Sequence, residues 1–145
     1  MRAEVQNNPQ YAPRCALVVF GDRADLPWLK ILKRGYRHCF VLIEGQVHGR
    51  EAHKGEGGFW VVYNPLSHCT ELGIVAGLDT PAITTHYRAL GHRVLQTRVT
   101  HPPKRCAPWR PYTCVEAVKR VLGLRAPGVF TPWQLFQAVN RKIIL

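Results

Sequence analysis

The sequence lacks any apolar run near the ~20 residues that a membrane-spanning helix needs, so no transmembrane segment is expected. It contains no CxxC pair, and its five cysteines are an odd number. Neither a compact zinc knuckle nor a closed disulfide framework is therefore predicted, and reduced thiols are the default. Acidic residues are scarce: 9 Asp and Glu stand against 20 Lys and Arg, a formal net charge of +11. An excess of that size favours partners of negative charge, meaning nucleic acid, an acidic protein surface or an anionic cell-wall polymer. No P-loop, helix-turn-helix signature or RNP motif narrows that choice, so nucleic acid follows from charge alone. The first ten residues carry no apolar core of the kind a secretory signal requires, which points to a cytoplasm or to a larger assembly that carries the chain out.

What is present is the composition of a globular protein, 46% hydrophobic and 20% charged over 145 residues. Residues 1–14 read as a polar, proline-containing tail and residues 15–145 as a single domain. Cys15-Ala16-Leu17-Val18-Val19-Phe20 is a continuous apolar run suited to a buried strand. Residues 25–34 read as a short helix with Asp25 as its cap. Strands follow over 37–44 and 58–64, with a glycine-rich loop at 45–57 between them and Pro65 closing the second. Residues 70–76 read as another strand with Gly73 as a weak point or bulge, and 93–99 as a last one. Helices are predicted from Thr80-Pro81 to Gly91 and from Thr131-Pro132 onward, where Gln134 completes a capping box and Leu135, Phe136 and Val139 form the buried side. The fold class is α+β, a small antiparallel sheet of four or five strands packed by helices.

Residues 110–124 carry the chemistry. Thr113 is an N-cap with Glu116 three residues later, Gly123 supplies the left-handed stop, and Cys114 sits in the first turn between them. Cys114, Ala117, Val118, Val121 and Leu122 make the buried stripe, leaving Glu116, Lys119 and Arg120 to water. A thiol at a helix N-terminus faces free N–H groups and the positive dipole end, which lower its pKa. A base for it is found by pairing the two central strands. If Glu44 faces Gly58, His38 faces Asn64, and His38, Phe40 and Leu42 share a sheet face with Trp60, Val62 and Asn64. A helix laid on that face with Cys114 at the polar end would assemble a nucleophile (Cys114), a proton shuttle (His38) and an amide that orients the imidazole (Asn64). Each has a bland reading: Cys114 as small core residue, His38 as a satisfied strand histidine, Asn64 as the start of a turn.

The motifs Arg37-His38-Cys39-Phe40-Val41 and Tyr112-Thr113-Cys114-Val115-Glu116, with the histidine strand before the cysteine helix, resemble the permuted papain-like (NlpC/P60-type) cysteine hydrolases. The resemblance spans about residues 15–124 and implies a Cys–His–polar site used on peptide, amide or ester bonds, with no cofactor. Asn64 stands where other members carry His, Asp, Glu or Gln. The chain also resembles small proteins encoded by tailed bacteriophages of proteobacteria, through its Trp/Val-rich strand ending in Asn-Pro and its closing Thr-Pro helix. That setting implies a cell-wall peptidase or a virion component, located in the host cytoplasm or the phage particle. The second reading is accordingly a non-catalytic virion protein with a degenerate site, contacting other virion proteins, an acidic partner or nucleic acid.

Two further clusters stand out in the sequence. His38-Cys39, His68-Cys69, His101 and Cys106 invite zinc, but adjacent strand residues point to opposite faces and the spacings do not match a metal site, so no metal is expected. Lys104, Arg105, Arg110, Lys119, Arg120 and Arg125 make a basic rim around Cys114, with Trp109 and Tyr112 interleaved. Tyr112, Trp109 and Arg110 are the expected substrate-binding residues.

Overall fold

The computed structural model describes residues 14–45, 58–101 and 111–144. The predicted tail (1–13), the glycine-rich loop (46–57) and most of the proline-rich basic loop (102–110) lie outside the described residues. The chain is α+β: a five-stranded antiparallel sheet with three α-helices. The strands are β1 (Cys15–Gly21), β2 (His38–Gly45), β3 (Phe59–Pro65), β4 (Thr70–Ala76) and β5 (Arg93–Arg98), in the spatial order β4-β3-β2-β1-β5. The helices are α1 (Thr80–Ala89), α2 (Cys114–Leu122) and α3 (Pro132–Ile144).

The order explains the composition of the strands. β1 and β2 lie inside the sheet with both faces covered, and so read as unbroken apolar runs rather than as alternation. Ala16, Val18, Phe20, Cys39 and Val41 pack under α2 and α3 with Val115, Val118, Leu122, Leu135 and Val139. Leu17, Val19, Phe40, Leu42 and Trp60 pack on the other face with Ile83 of α1. β4 and β5 occupy opposite edges and run in the same direction, so α1 must cross the sheet between them and close that second face. β4 pairs with β3 in unbroken register, Val62 opposite Gly73, so the bulge expected at Gly73 is absent.

Helix ends follow local chemistry. Thr131 and Gln134 form the full capping box of α3, each side chain accepting the other's backbone N–H at 3.3 and 3.1 Å. α1 begins one residue earlier than predicted, because Asp79 accepts from Ala82 N–H at 2.8 Å and outcompetes Thr80 as cap. The helix expected over 25–34 is a single 3-10 helix, Pro27–Ile31, with no side-chain cap. Asp25 is drawn away by Arg23, whose Nε donates to it at 2.7 Å.

Candidate functional site

The helix that presents Cys114 is held at both ends. Thr113 Oγ1 accepts from Glu116 N–H at 3.3 Å, so one half of the predicted capping box forms. At the other end Gly123, at φ +65°, closes a Schellman motif, with Gly123 N–H bonded to Arg120 O and Leu124 N–H to Lys119 O. Thr100 ties this end to the chain leaving β5 by donating to Leu122 O and Gly123 O. The Glu116 carboxylate does not reach back to the cap. It pairs with Lys119 Nζ at 2.9 Å and Arg120 Nε at 3.5 Å. Glu116 and Lys119 are buried rather than solvated, which corrects the predicted polar face. Lys119 Nζ also donates to Val129 O at 3.1 Å, fastening the segment that leads into α3. Burial opposes ionisation of Glu116, but its bonds to Lys119 and Arg120 outweigh that and lower its pKa.

α2 lies on the face of Cys39 and Val41, opposite the one predicted from the alternation of His38, Phe40 and Leu42. The expected face is occupied by α1, because the β4-to-β5 crossover needs it. His38 nevertheless reaches Cys114. It is the first residue of β2, as Cys114 is the first of α2, and its imidazole hydrogen-bonds the Cys114 thiol. The β2–β3 register is two residues from the one expected: Val41 faces Tyr63, so continuing the ladder puts Asn64 opposite Phe40. A shift of two keeps every side chain on its face. Asn64 Oδ1 therefore still meets His38 Nε2, at 2.7 Å, across the diagonal.

The chain of bonds orients the imidazole. Asn64 Nδ2 donates to Glu71 Oε2 at 2.8 Å, and an ionised carboxylate can only accept. The amide is thus fixed with its oxygen toward His38, Nε2 carries a proton, and Nδ1 is the nitrogen left for Cys114. Glu71 escaped the sequence reading, although it is the partner of Asn64 in the β3–β4 register. Cys39 is fully buried, and its side chain also hydrogen-bonds Cys114.

These contacts set the charge state. The bond from Cys39 is the largest influence on Cys114; burial works against it, and the hydrogen bond and charge of His38 add to it, bringing the thiol down to about 5. Cys39 is driven the opposite way, well above the ordinary thiol value, by burial and by its bond to Cys114. Burial would lower the His38 pKa, but bonds to Cys114 and Asn64 outweigh it and raise the pKa. The two shifts run in the directions that favour a thiolate beside an imidazolium.

Comparison with known protein families, with curated proteins and with solved structures finds no match to this chain. The site must be read from its own geometry. Cys114 and His38 open onto a groove of about 610 Å³ bounded by the 3-10 helix, the turn after β3 and the start of α3. Tyr112 lines it, 59% exposed, with its hydroxyl 2.6 Å from that of Tyr63 and the Arg120 guanidinium 5.5 Å from its ring. Trp109 and Arg110, the other expected substrate contacts, lie outside the described residues, as do Lys104 and Arg105. Lys119 leaves the predicted basic rim for its buried pair with Glu116. Among the described residues no three His, Cys, Asp or Glu side chains are grouped to hold a metal ion.

Proposed function

We propose that the chain is a cysteine hydrolase of permuted papain-like (NlpC/P60-type) fold, a peptidase or amidase that works through a thioester at Cys114. The observation that carries this reading is the bonded sequence Cys114–His38–Asn64, with the thiol at a capped helix tip and its pKa lowered to about 5. The order in the chain, imidazole before thiol, agrees with the permuted arrangement.

The chemistry follows from these groups. The thiolate attacks the carbonyl carbon, and the electron pair of the C=O moves to oxygen. Thr113 takes the N–H groups of Glu116 and Ala117, while those of Cys114 and Val115 precede any helical acceptor and can bind that oxyanion. The His38 imidazolium gives its proton to the leaving amine as the C–N bond breaks, leaving a thioester on Cys114. Neutral His38 then takes a proton from water, hydroxide attacks the thioester, and the acid leaves with restoration of the thiolate. Asn64, held by Glu71, keeps the ring in place without competing for its proton.

Hydrolysis should rise as pH climbs through about 5, where Cys114 ionises, and fall above the ordinary histidine value of 6.5, as His38 loses the proton it holds more tightly than usual. The direct test is alkylation by iodoacetamide at pH 6, mapped by mass spectrometry. Cys114 should be modified faster than the exposed Cys69 of the same chain, and Cys114→Ser should abolish the fast phase. Equal rates at the two cysteines would defeat the proposal.

A further inference from the structure

The groove above Cys114 is built from apolar side chains that neither core absorbs. Leu26, Trp28, Leu29 and Leu32 come from the 3-10 helix and its flanks, and none belongs to the clusters on the two sheet faces. No residue of that helix is buried, and Trp28 is 59% exposed. Phe130, 62% exposed, lines the groove from the start of α3, and Leu66 from the turn after β3. Apolar side chains grouped in a concavity, rather than scattered singly, mark a binding surface.

Charge in the same groove is matched internally. Arg23 is paired with Asp25 at 2.7 Å, and Arg37 with Asp22 at 3.5 Å, its Nη2 also donating to Lys30 O at 3.2 Å. The two arginines that line the groove are thus both committed to carboxylates, even though the chain as a whole carries +11. Each pairing offsets much of the arginine's positive charge and so weakens its pull on an anionic ligand. An uncharged apolar group would cover Trp28 and Phe130 and release their water.

We infer that the groove bounded by Trp28 and Phe130 is a specificity pocket for an uncharged, extended apolar group next to the carbonyl presented to Cys114. This rests on the nucleophile reading above and narrows it: the preferred substrate is an apolar acyl or peptidyl compound, not an anionic cell-wall peptide. Hydrocarbon chains and large apolar peptide side chains share this chemistry.

The test compares p-nitrophenyl acetate, p-nitrophenyl octanoate and the p-nitrophenyl ester of N-acetylphenylalanine. In each the thiolate attacks the carbonyl, the ester C–O bond breaks, and nitrophenolate leaves with the electron pair and is read as a burst. The octanoate or the phenylalanine ester should acylate Cys114 at least about tenfold faster than acetate, the faster of the two identifying the source of the apolar group. Trp28→Ala should bring that ratio close to one. Equal rates with all three esters, or a ratio unmoved in both Trp28→Ala and Phe130→Ala, would overturn the inference while leaving the nucleophile reading intact. If no ester gives a burst and iodoacetamide finds Cys114 no faster than Cys69, the nucleophile reading fails instead. The pocket is then judged by equilibrium binding of octanamide, N-acetylphenylalaninamide and acetamide to Cys114→Ala. Preference for an apolar amide, lost with Trp28→Ala, upholds the pocket, and equal binding of the three rejects it.

Discussion

The two faces of the sheet are closed by different means, and the candidate site needs both. Under α2 and α3 the core is aliphatic at the centre and aromatic at one side, where Phe20, Tyr36, Trp133 and Phe136 meet with centroid separations of 4.7–5.9 Å, edge-on or tilted except for the stacked pair Trp133–Phe136. That side is tied to the surface by cations, Lys33 over Trp133 at 3.2 Å and Arg93 over Tyr36 at 5.4 Å. Under α1 the core is smaller and centred on Trp60, whose Nε1 donates to Leu78 O at 3.0 Å. Phe40, Tyr87 and His92 meet edge to face at its margin. The first face contributes Cys39 and the helix that carries Cys114. The second contributes His38, stacked on Phe40, and its partner Asn64. The thiol and imidazole meet where two elements begin, His38 as the first residue of β2 and Cys114 as the first of α2.

The two faces depend on each other most at that meeting point. His38→Ala removes the only contribution of the α1 face to proton transfer, and hydrolysis should fall by about 10²–10⁴-fold, the usual worth of a positioned acid–base group. The midpoint of Cys114 alkylation should also move upward from about 5, because the imidazolium no longer favours the thiolate. An unchanged midpoint would mean the imidazole does not sense the sulfur.

Fold stability draws on both faces. Leu135 and Ile83 are both buried, one on each face. Truncation of either to Ala should cost about 2–5 kcal/mol in chemical denaturation. A several-fold inequality would show that one layer carries the cooperative core and the other is an addition to it. Cys39→Ala acts on a smaller scale, within the first face. The loss of the largest contribution that lowers the Cys114 pKa should raise the alkylation midpoint while leaving His38 in place. A midpoint that stayed near 5 would assign the thiolate to the helix tip and His38 alone. The least effect is expected from Glu71→Gln, which lets the Asn64 amide turn over. A hydrogen bond worth ~1 kcal/mol implies about a fivefold loss of hydrolysis, with fold stability unmoved.

Much of this was legible in the chain. The apolar run of Cys15 to Phe20, the strand before Pro65, the Thr131–Gln134 box and the Thr113–Gly123 frame of α2 are local signals, each decided within a few residues. Asn64 was reachable because strand parity survives an error of two in the register, though an error of one would have lost it. Other features were hidden because their causes are distant. Asp25 reads as a cap until Arg23 takes its carboxylate, and Glu116 reads as solvated until Lys119 turns inward to Val129 O. Nothing near Cys39 in the sequence reveals that it touches Cys114, and Leu26, Trp28 and Leu32 fall within the helix expected over 25–34, of which only the 3-10 helix Pro27–Ile31 forms.

The sequence by itself determined the strands, the caps of α2 and α3, and the presence of a thiol at a helix tip and a histidine at a strand start, because these depend on side-chain periodicity and on backbone groups a few residues away. Only the tertiary structure decided which face α2 covers. The crossover from β4 to β5 fills one face with α1 and leaves the other to α2 and α3. With that choice came the Cys39 contact, the Glu71 anchor and the apolar groove, all of which join residues far apart in the chain.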